Sequence, residues 1–308
     1  MDAPDLLTNP RSDRVRAVRA LAGRAVRERR GRFLVEGPQA VREAVVGRLR
    51  VHDLYVTDAA AARYAEIVAA AQERRIRTTR GDEAVLAAMS PDAQGVVAVA
   101  DLLPSGLDPV LGRTGGADGA DGARGVPRLV AVLAQVRDPG NAGTVIRAAD
   151  AAGAGGVVLS ARSVDVHNPK VVRSTAGSLF HLPVGYDVAT ADAVAALRAA
   201  GLTVLAADGA GEHDLDDLLD VAGTAPAGVP DLAAPTAWLF GNEAWGLPDE
   251  DRALADAVVR VPLHGRAESL NLATAATVCL YASARAQRRA AGAAGRAGAR
   301  AQAAVREA

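Results

Sequence analysis

The sequence predicts an α/β protein with two domains, each built from strands that alternate with helices. Short apolar runs recur along the 308 residues and are separated by segments whose apolar residues have helical spacing. One run, residues 129–135, is almost continuously apolar, which is typical of a strand buried on both faces of a parallel sheet. The composition changes near residue 104, and a chain of this length is long enough for about two domains.

The first domain, residues 1–103, is predicted to start with a basic helix over residues 13–31, because apolar residues recur there at helical spacing. Four strands and three further helices then alternate. The strands are predicted at residues 33–36, 52–56, 76–79 and 95–100. The helices are predicted at residues 39–46, 58–74 and 82–89.

Residues 104–127 are predicted to be a flexible linker, because residues 113–125 consist mostly of Gly, Ala and Asp without an apolar period. The second domain, residues 128–284, again alternates strands and helices, and an Ala/Arg-rich tail, residues 285–308, ends the chain. Its strands are predicted at residues 129–135, 156–159, 180–184, 202–206, 238–240 and 258–261. Its helices are predicted at residues 142–152, 169–176 and 191–200, with a long one from about residue 272.

The composition excludes several classes of protein. Cys279 is the one cysteine, which rules out an internal disulfide framework and a thiolate-rich zinc site. No apolar run is long enough to cross a membrane, and the first residues lack the apolar core of a signal peptide, so we expect a cytoplasmic protein.

The net charge of −1 hides an uneven distribution of charge along the chain. Residues 1–50 carry +6 and residues 285–308 carry +5, whereas residues 104–284 carry −9. Basic segments at the ends indicate a polyanionic partner, although an Ala/Arg-rich composition that places arginines on solvated helices explains the charge equally well.

Three motifs in the second domain carry residues suited to chemistry. The first, residues 137–147, directly follows the apolar strand at residues 129–135 and reads RDPGNAGTVIR. Its Asp-Pro-Gly-Asn segment is typical of a turn, and Asn141 could cap the helix that follows. Arg147 lies six residues later, on a different face of that helix. A capped helix with a surface arginine would give the same pattern.

The second motif, residues 239–247, reads LFGNEAWGL. A strand that ends at Gly241 lets a ligand approach the backbone, with Glu243 beside it. A tight turn with a structural aromatic residue at Trp245 is the alternative interpretation. The third motif, residues 261–272, reads VPLHGRAESLNL, and it leads from a strand end to a helix that Ser269 or Asn271 could cap.

In this order and at these spacings, the three motifs resemble the SpoU (TrmH-like) family of RNA 2′-O-ribose methyltransferases, part of the SPOUT superfamily. Residues 170–178 resemble a further family segment. Residues 33–44 and 94–98 are similar to the family's substrate-binding domain, which has a ribosomal-protein-type RNA-binding fold. The resemblance implies a trefoil-knotted parallel sheet in the second domain and methylation of RNA, most plausibly ribosomal RNA.

The resemblance also implies S-adenosylmethionine as the cofactor and assigns roles to residues. The cofactor-binding residues implied are Gly241, Val261, Leu263, Leu270 and Asn271. The catalytic residues implied are Arg147 and Asn141, with Glu243 and Ser269 as site residues of open role. We expect the segment at residues 204–211, a strand followed by two spaced glycines, to border the cofactor, and the acidic stretch at residues 214–220 after it would repel anionic phosphates.

The partners implied are an RNA and a second copy of the chain, with no membrane and no metal. We expect the RNA to be bound by the first domain. The candidate contacts are Arg29, Arg30, Arg32, Glu36 and Arg42.

Two other functions fit the sequence. The substrate could be a transfer RNA, although the additional first domain favours ribosomal RNA. The protein could also be a non-catalytic RNA-binding or ribosome-assembly protein of the same fold, but such a protein would not need Asn141, Arg147, Glu243, Ser269 and Asn271.

Overall fold

A computed structural model describes residues 6–113 and 125–307, without the side chains of residues 294, 295 and 297–307. The chain forms two compact units that are not consecutive segments. The first unit contains Met1–Pro104, Asp138–Arg147 and Val164–Pro183, and the second contains Ser105–Arg137, Ala148–Ser163 and Val184–Ala308. Two pieces from the middle of the sequence therefore pack with the N-terminal residues.

The sheet of the first unit has four strands, as predicted. The strands are β1 (Arg32–Glu36), β2 (Val51–Val56), β3 (Arg77–Arg80) and β4 (Val96–Asp101), and their spatial order is β1-β4-β2-β3. The central strand β4 is antiparallel to β1 and β2, whereas β2 and β3 are parallel. The starts of β1, β2 and β3 and the end of β4 consequently lie along one edge of this sheet, the amino-terminal edge.

Six helices of the first unit precede or connect these strands. They are α1 (Asp13–Arg19), α2 (Arg24–Arg30), α3 (Pro38–Val46), α4 (Asp58–Arg63), α5 (Ala65–Glu73) and α6 (Glu83–Met89). The predicted helix over residues 13–31 is interrupted by a 3₁₀ turn, Ala20–Ala22, and by Gly23 in an extended conformation. The predicted helix over 58–74 is interrupted at Tyr64, whose φ of −120° and ψ of 50° are not helical.

The core of the first unit lies between the sheet and the helices α1 and α6. It contains Val15 and Val18 of α1, Leu34 of β1 and Val85 and Leu86 of α6, all buried. The apolar period that predicted the first helix therefore marks its buried face.

The second unit is a sheet of seven parallel strands. The strands are β5 (Leu129–Leu133), β6 (Gly156–Ser160), β7 (Val184–Val188), β8 (Thr203–Ala207), β9 (His213–Asp214), β10 (Thr236–Phe240) and β11 (Ala257–Arg260). Their spatial order is β7-β6-β5-β10-β8-β11-β9. All five residues of β5 are buried, as expected for a strand covered on both faces. The trefoil knot that the resemblance implies stays a prediction.

Six helices belong to the segments that connect or follow these strands. They are α7 (Pro139–Ala152), α8 (Pro169–Ser174), α9 (Thr190–Ala199), α10 (Leu215–Asp220), α11 (Asp249–Arg252) and α12 (Leu272–Glu307). Residues 139–147 of α7 and the whole of α8 belong to the first unit. Helix α12 buries Ala276, Cys279 and Leu280 on one face and includes most of the predicted Ala/Arg-rich tail. No helix in the described ranges has the length and hydropathy needed to cross a membrane.

Two expectations are wrong in part. The predicted strand at 180–184 is shifted, because Ser178–Phe180 is a 3₁₀ turn and the strand is Val184–Val188. The predicted linker is not flexible over residues 105–113, because Val110 and Leu111 are buried in the core of the second unit and Gly106 pairs with Tyr186. Residues 114–124 lie outside the described residues.

A buried ion pair connects the N-terminal segment of the first unit with its last segment, Val164–Pro183. Arg27 is 3% exposed, hydrogen-bonds the carbonyls of Leu21 and Ala22, and forms an ion pair with Asp165. Burial would raise the pKa of Asp165, but hydrogen bonds from His167 and Arg27 outweigh it, so the pKa lies well below its usual range. Asp165 is therefore ionised at neutral pH and depends on Arg27 for charge compensation.

We predict that Arg27→Met destabilises the protein by about 3–5 kcal/mol at pH 7, because it leaves the Asp165 carboxylate without its buried partner. Urea unfolding measures this loss. The double variant Arg27→Met/Asp165→Asn should lose less than the sum of the two single variants. The control Arg24→Met removes an exposed pair with Glu28 and should cost less than about 1 kcal/mol. Additive single losses would contradict the pairing.

Candidate active site

The carboxyl end of β5 leads into a residue with an unusual backbone conformation. Gln135 has a φ of 55°, in the left-handed region that favours glycine. Its N–H donates to the Ser160 hydroxyl at the end of β6 (3.0 Å), and its side-chain amide lies 3.5 Å from the Asp251 carboxylate. Burial raises the pKa of Asp251, and the hydrogen bond from Gln135 opposes that shift. Positive φ at a residue with a side chain costs free energy, and such residues occur frequently at functional sites.

The second motif forms a tight turn at the carboxyl end of β10. Asn242 and Gly246 exchange two backbone hydrogen bonds, each 2.9 Å long, and Gly246 has a φ of 70°. A Cβ at Gly241 would lie only 2.3 Å from the carbonyl carbon of Gly246. Glycine at position 241 is therefore required because the turn folds back onto the strand end.

Three contacts connect this turn with the residues that follow β5. The Asn242 side-chain amide donates to the Gln135 carbonyl (2.7 Å), and the N–H of Arg137 donates to Glu243 Oε2 (3.4 Å). The Arg137 guanidinium lies over the Trp245 ring, 5.1 Å from its centroid. The structure thus brings the start of the first motif and the second motif together, at the sheet edge where parallel α/β proteins bind their ligands.

The third motif lines a cavity of about 440 Å³. Three of the five predicted cofactor residues, Val261, Leu263 and Leu270, contribute to its wall, together with Val278 of α12 and Asp216 of α10. Gly241 does not line it. Asn271, the fifth, caps α12, because its side-chain oxygen accepts the N–H of Ala273 at 2.9 Å. Ser269 is exposed and makes no hydrogen bond within the described part of the chain.

The cavity suits a small organic cofactor that carries positive charge. Its volume falls within the range of small-molecule sites, and its wall combines mainly apolar residues with the carboxylate of Asp216 and the imidazole of His264. The carboxylate of Asp216 lies 3.6 Å from His264 Nε2. The stretch around residues 214–220 thus contributes an acidic group to the same cavity as the third motif. No group of three or more His, Cys, Asp or Glu side chains in the described ranges could hold a metal ion.

Helix α7 carries the remaining residues of the first motif. The helix begins at Pro139, and the Asp138 carboxylate accepts the N–H of Asn141 at 2.7 Å. The cap is therefore Asp138, and the expectation that Asn141 caps the helix is wrong, because Asn141 already lies within the first turn. Arg147, eight residues after the helix begins, is exposed, and its side chain makes no hydrogen bond or ion pair with any described residue.

Arginines follow the amino-terminal edge of the first unit's sheet. Arg29, Arg30 and Arg32 lie before or at the start of β1, where Arg32 pairs with Asp101 in register. At the starts of β2 and β3, a cavity of about 360 Å³ is lined by basic side chains and two apolar residues. Its lining residues are Arg48, Arg50, Val51, His52, Arg74, Arg75 and Ile76.

Two arginines of this cavity have distinct roles. Arg74 donates to the carbonyls of Ala44 and Val45 at the end of α3 and to that of Leu49, so its guanidinium is held in place. Arg75 is exposed and has a φ of 55°. This conformation lets the N–H of Arg75 donate to the carbonyl of Gln72 and that of Ile76 to the carbonyl of Ala71, which ends α5. Arg50 is exposed as well. We call Arg50, Arg74 and Arg75 the basic edge cluster.

Two of the predicted RNA contacts are occupied by structural interactions. Glu36 is 3% exposed and hydrogen-bonds Ser90 and Arg173, so the prediction that it contacts RNA is wrong. Arg42 is half-buried and forms an ion pair with Glu66 (2.7 Å). Arg29 and Arg30 are exposed and Arg32 is half-buried.

Sequence reasoning missed four residues at the site. Gln135 and Ser160 belong to no recognisable motif, and Arg137 begins the first motif but was given no role, because their contacts join segments that are distant in sequence. Trp245 was considered only as a structural aromatic residue of a tight turn, but it is 50% exposed. The sequence offered one sign that Trp245 is exposed: it lies between Gly241 and Gly246, in a segment expected to form a turn.

Comparison with known proteins identifies the family. The model of the SpoU rRNA Methylase family matches residues 128–281, and that of the MRM3-like substrate binding domain matches residues 12–98. A 23S rRNA (uridine(2479)-2′-O)-methyltransferase of Streptomyces viridochromogenes is 43% identical over 150 residues, which are 48% of this chain and 49% of that protein. The chain spans about half the length of the curated relatives it matches.

Solved structures resemble the chain over most of its length. An AdoMet-bound rRNA methyltransferase from Sinorhizobium meliloti has a TM-score of 0.73 and 30% identity, covering 91% of this chain and 97% of that one. The SpoU methyltransferase AviRb from Streptomyces viridochromogenes, in complex with the cofactor AdoMet, has a TM-score of 0.70 and 31% identity, covering 89% and 98%. With a family model that matches half of its residues, this chain belongs to the SpoU rRNA methylase family.

Proposed function

We propose that this protein transfers a methyl group from S-adenosylmethionine to a ribose 2′-hydroxyl of ribosomal RNA. The observation that carries the proposal is the set of contacts from Gln135 and Arg137 to Asn242, Glu243 and Trp245 at the carboxyl end of the parallel sheet. The relative from Streptomyces viridochromogenes is named as a 23S rRNA 2′-O-methyltransferase, which supports the same reaction and substrate class.

The cavity lined by Val261, Leu263 and Leu270 is the proposed cofactor site. S-Adenosylmethionine, when bound, supplies a methyl group that is electrophilic because it leaves from a sulfonium. The Asp216 carboxylate at the cavity wall would favour a ligand with positive charge, and the backbone of the exposed segment at residues 263–271 offers hydrogen-bonding groups. Gly241 and Asn271 are proposed to support this site from the turn after β10 and from the start of α12.

Arg147 is the proposed binding group for the substrate. Its exposed guanidinium can hold the phosphate next to the reacting ribose and stabilise negative charge that develops on the 2′-oxygen. Arginine has a pKa above 12 and is a poor base, so the 2′-proton passes to a neighbouring group or to water. Positioning the hydroxyl in line is then the main contribution of these residues.

The other site residues support this arrangement. Glu243 fixes the backbone of Arg137 and so positions the first motif relative to the second motif's turn. Asn141 lies in the first turn of α7, six residues before the exposed Arg147 of the same helix, and we propose that it assists in holding the substrate. The Ser269 hydroxyl is exposed in the loop of the third motif, within two residues of the helix cap Asn271.

The first unit is the proposed RNA-binding part. Arg29, Arg30 and Arg32, with the basic edge cluster, provide positive charge along one edge of its sheet, and Arg42 contributes from α3. Arginines at such an edge suit the phosphate backbone, which gives affinity without sequence information. An enzyme that acts on ribosomal RNA would work in the cytoplasm.

We also propose a homodimer, formed through α12. On the face opposite its buried residues, this helix exposes Val278 and Tyr281, which are 40% and 44% exposed and lie three residues apart. Neighbouring apolar residues on one helix face are typical of a protein interface.

The proposed reaction is tested by transfer of radiolabelled methyl groups to unmodified 23S rRNA, with transfer RNA as a parallel substrate. We predict that Arg147→Ala lowers kcat by about 100-fold or more, because it removes a charged group that acts on the transition state. Calorimetry should give a dissociation constant for S-adenosylmethionine within about twofold of the wild type. Turnover by Arg147→Ala at the wild-type rate would exclude this role. Methylation of transfer RNA but not of 23S rRNA would show that the substrate is a transfer RNA.

Asp216→Asn is the matched control and should show the opposite pattern. It should raise the dissociation constant for S-adenosylmethionine by about two- to fivefold, the effect of one partly exposed charge. Methyl transfer at saturating cofactor should stay near the wild-type rate. A dissociation constant that does not change would separate Asp216 from the cofactor site.

The RNA-binding edge is tested by the salt dependence of RNA affinity. We predict that Arg50→Ala/Arg75→Ala weakens binding of 23S rRNA and lowers the slope of log Kd against log salt by about 1–2. Fewer phosphate contacts form in this variant, so fewer counterions are released from the RNA on binding. The control Arg19→Ala/Arg63→Ala removes the same charge from exposed positions of the same unit and should leave the slope unchanged. Equal slopes for the two double variants would contradict RNA binding at this edge of the sheet.

The proposed dimer is tested by light scattering after size exclusion. The wild type is expected to have twice the mass of the chain, and Tyr281→Asp is expected to shift the mass toward that of one chain by placing a charge in an apolar contact. The control Ala62→Asp adds the same charge at an exposed position of α4 and should leave the mass unchanged. A monomeric wild type would refute the dimer.

A further inference from the structure

The two tryptophans of the chain have opposite surroundings. Trp238 is fully buried in β10, where its indole N–H donates to Ser283 (2.9 Å) and its ring stacks on Phe240. Trp245 is 50% exposed, although it lies only seven residues later in sequence. The chain is poor in aromatic residues, at 3%, so an exposed indole is not a consequence of composition.

The turn that carries Trp245 is held in one conformation. Two backbone hydrogen bonds close it between Asn242 and Gly246, and the Asn242 side chain bonds both the N–H of Ala244 (2.9 Å) and the carbonyl of Gln135 (2.7 Å). Gly241 lies so close to Gly246 that a Cβ at position 241 would be only 2.3 Å from the carbonyl carbon of Gly246. The indole is therefore presented to solvent from a rigid support, which lowers the entropy that a ligand must overcome on binding.

Arg137 lies over the indole, with its guanidinium carbon 5.1 Å from the ring centroid. Its backbone N–H is bonded to Glu243, so both members of the pair are fixed to the same turn. A guanidinium in cation–π contact with an indole adds positive charge beside an aromatic surface. That surface is complementary to a group that is planar and part of a polyanion.

An unpaired base of RNA has both properties. Proteins that read RNA do so mainly at unpaired nucleotides, whose bases stack on aromatic rings and on arginine planes. The pair lies on the segments that directly follow β5 and β10, the same strand ends that carry the first two motifs. A base held there belongs to the nucleotides at the site of reaction.

We propose that Trp245, in cation–π contact with Arg137, is the platform on which an unpaired base of the RNA substrate stacks. This inference rests on the proposed function, since it names how the substrate is held at that site. Phosphate contacts by arginines do not distinguish one nucleotide from another, whereas a stacking platform selects nucleotides whose bases can leave the helix.

Tryptophan fluorescence tests the platform without methyl transfer. A short single-stranded RNA should quench the emission of Trp245, and the same RNA without its bases should quench it much less. Trp238 is an internal control, because its burial shields it from RNA. In Trp245→Phe the quenching should disappear while RNA affinity stays within a few-fold of the wild type, because phenylalanine retains a stacking surface.

Methyl transfer gives the second readout. Trp245→Ala should raise the KM for RNA by about 5- to 150-fold, the effect of removing one base–aromatic stack, with a much smaller change in kcat. Trp245→Leu, which keeps apolar volume without a ring, should behave like Trp245→Ala, whereas Trp245→Phe should stay close to the wild type. Calorimetry should show unchanged affinity for S-adenosylmethionine in all three variants.

Two kinds of outcome would overturn the platform, and a third would overturn the proposed function alone. Equal quenching by RNA with and without bases would show that stacking is not involved. A normal KM for Trp245→Ala, or a change of oligomeric state in this variant, would indicate a structural or interface residue. Quenching by RNA in a wild type that methylates neither ribosomal nor transfer RNA would refute the proposed function and leave the platform in place.

Discussion

The close approach of the backbone at Gly241 is the constraint on which the site depends. A side chain at this position would overlap the carbonyl of Gly246 and the N–H of Leu247, with contacts of 2.3–2.4 Å. Without a side chain, the chain reverses immediately after β10 and returns Leu247 to the apolar core. The reversal places Asn242, Glu243 and Trp245 where Gln135 and Arg137 can reach them. The positions of these three side chains therefore depend on glycine at position 241.

The sequence was sufficient to predict the features that depend on local patterns. Apolar runs marked most of the strands of both sheets, and residue preferences at strand and helix ends predicted the glycine after β10 and limited the cap of α12 to Ser269 or Asn271, of which Asn271 is the cap. The strand at 180–184 was misplaced because Gly177, with a φ of 100°, starts a 3₁₀ turn where the apolar residues suggested a strand.

Features that depend on distant contacts could not be predicted in this way. Arg27 belongs to a strongly basic helix and would be expected in solvent, yet it is buried against Asp165. Glu36 looked available to RNA, but Ser90 and Arg173 enclose it. Asp216 reaches the cavity of the third motif because β9 pairs with β11, a register that no local period encodes. In each case the partner lies tens of residues away or more.

The noncontiguous composition of the first unit has a consequence for synthesis of the chain. Arg27 and Asp165 are separated by 138 residues, and at about 5–20 residues per second the ribosome needs roughly 7–28 s to make that interval. Throughout this time the N-terminal residues lack the segment at 164–183, whose His167 and Phe180 pack against Phe33 of β1. The first unit is therefore the first to be synthesised but cannot be finished until more than half of the chain has left the ribosome. A nascent chain of this protein must keep its N-terminal part from aggregating during that delay.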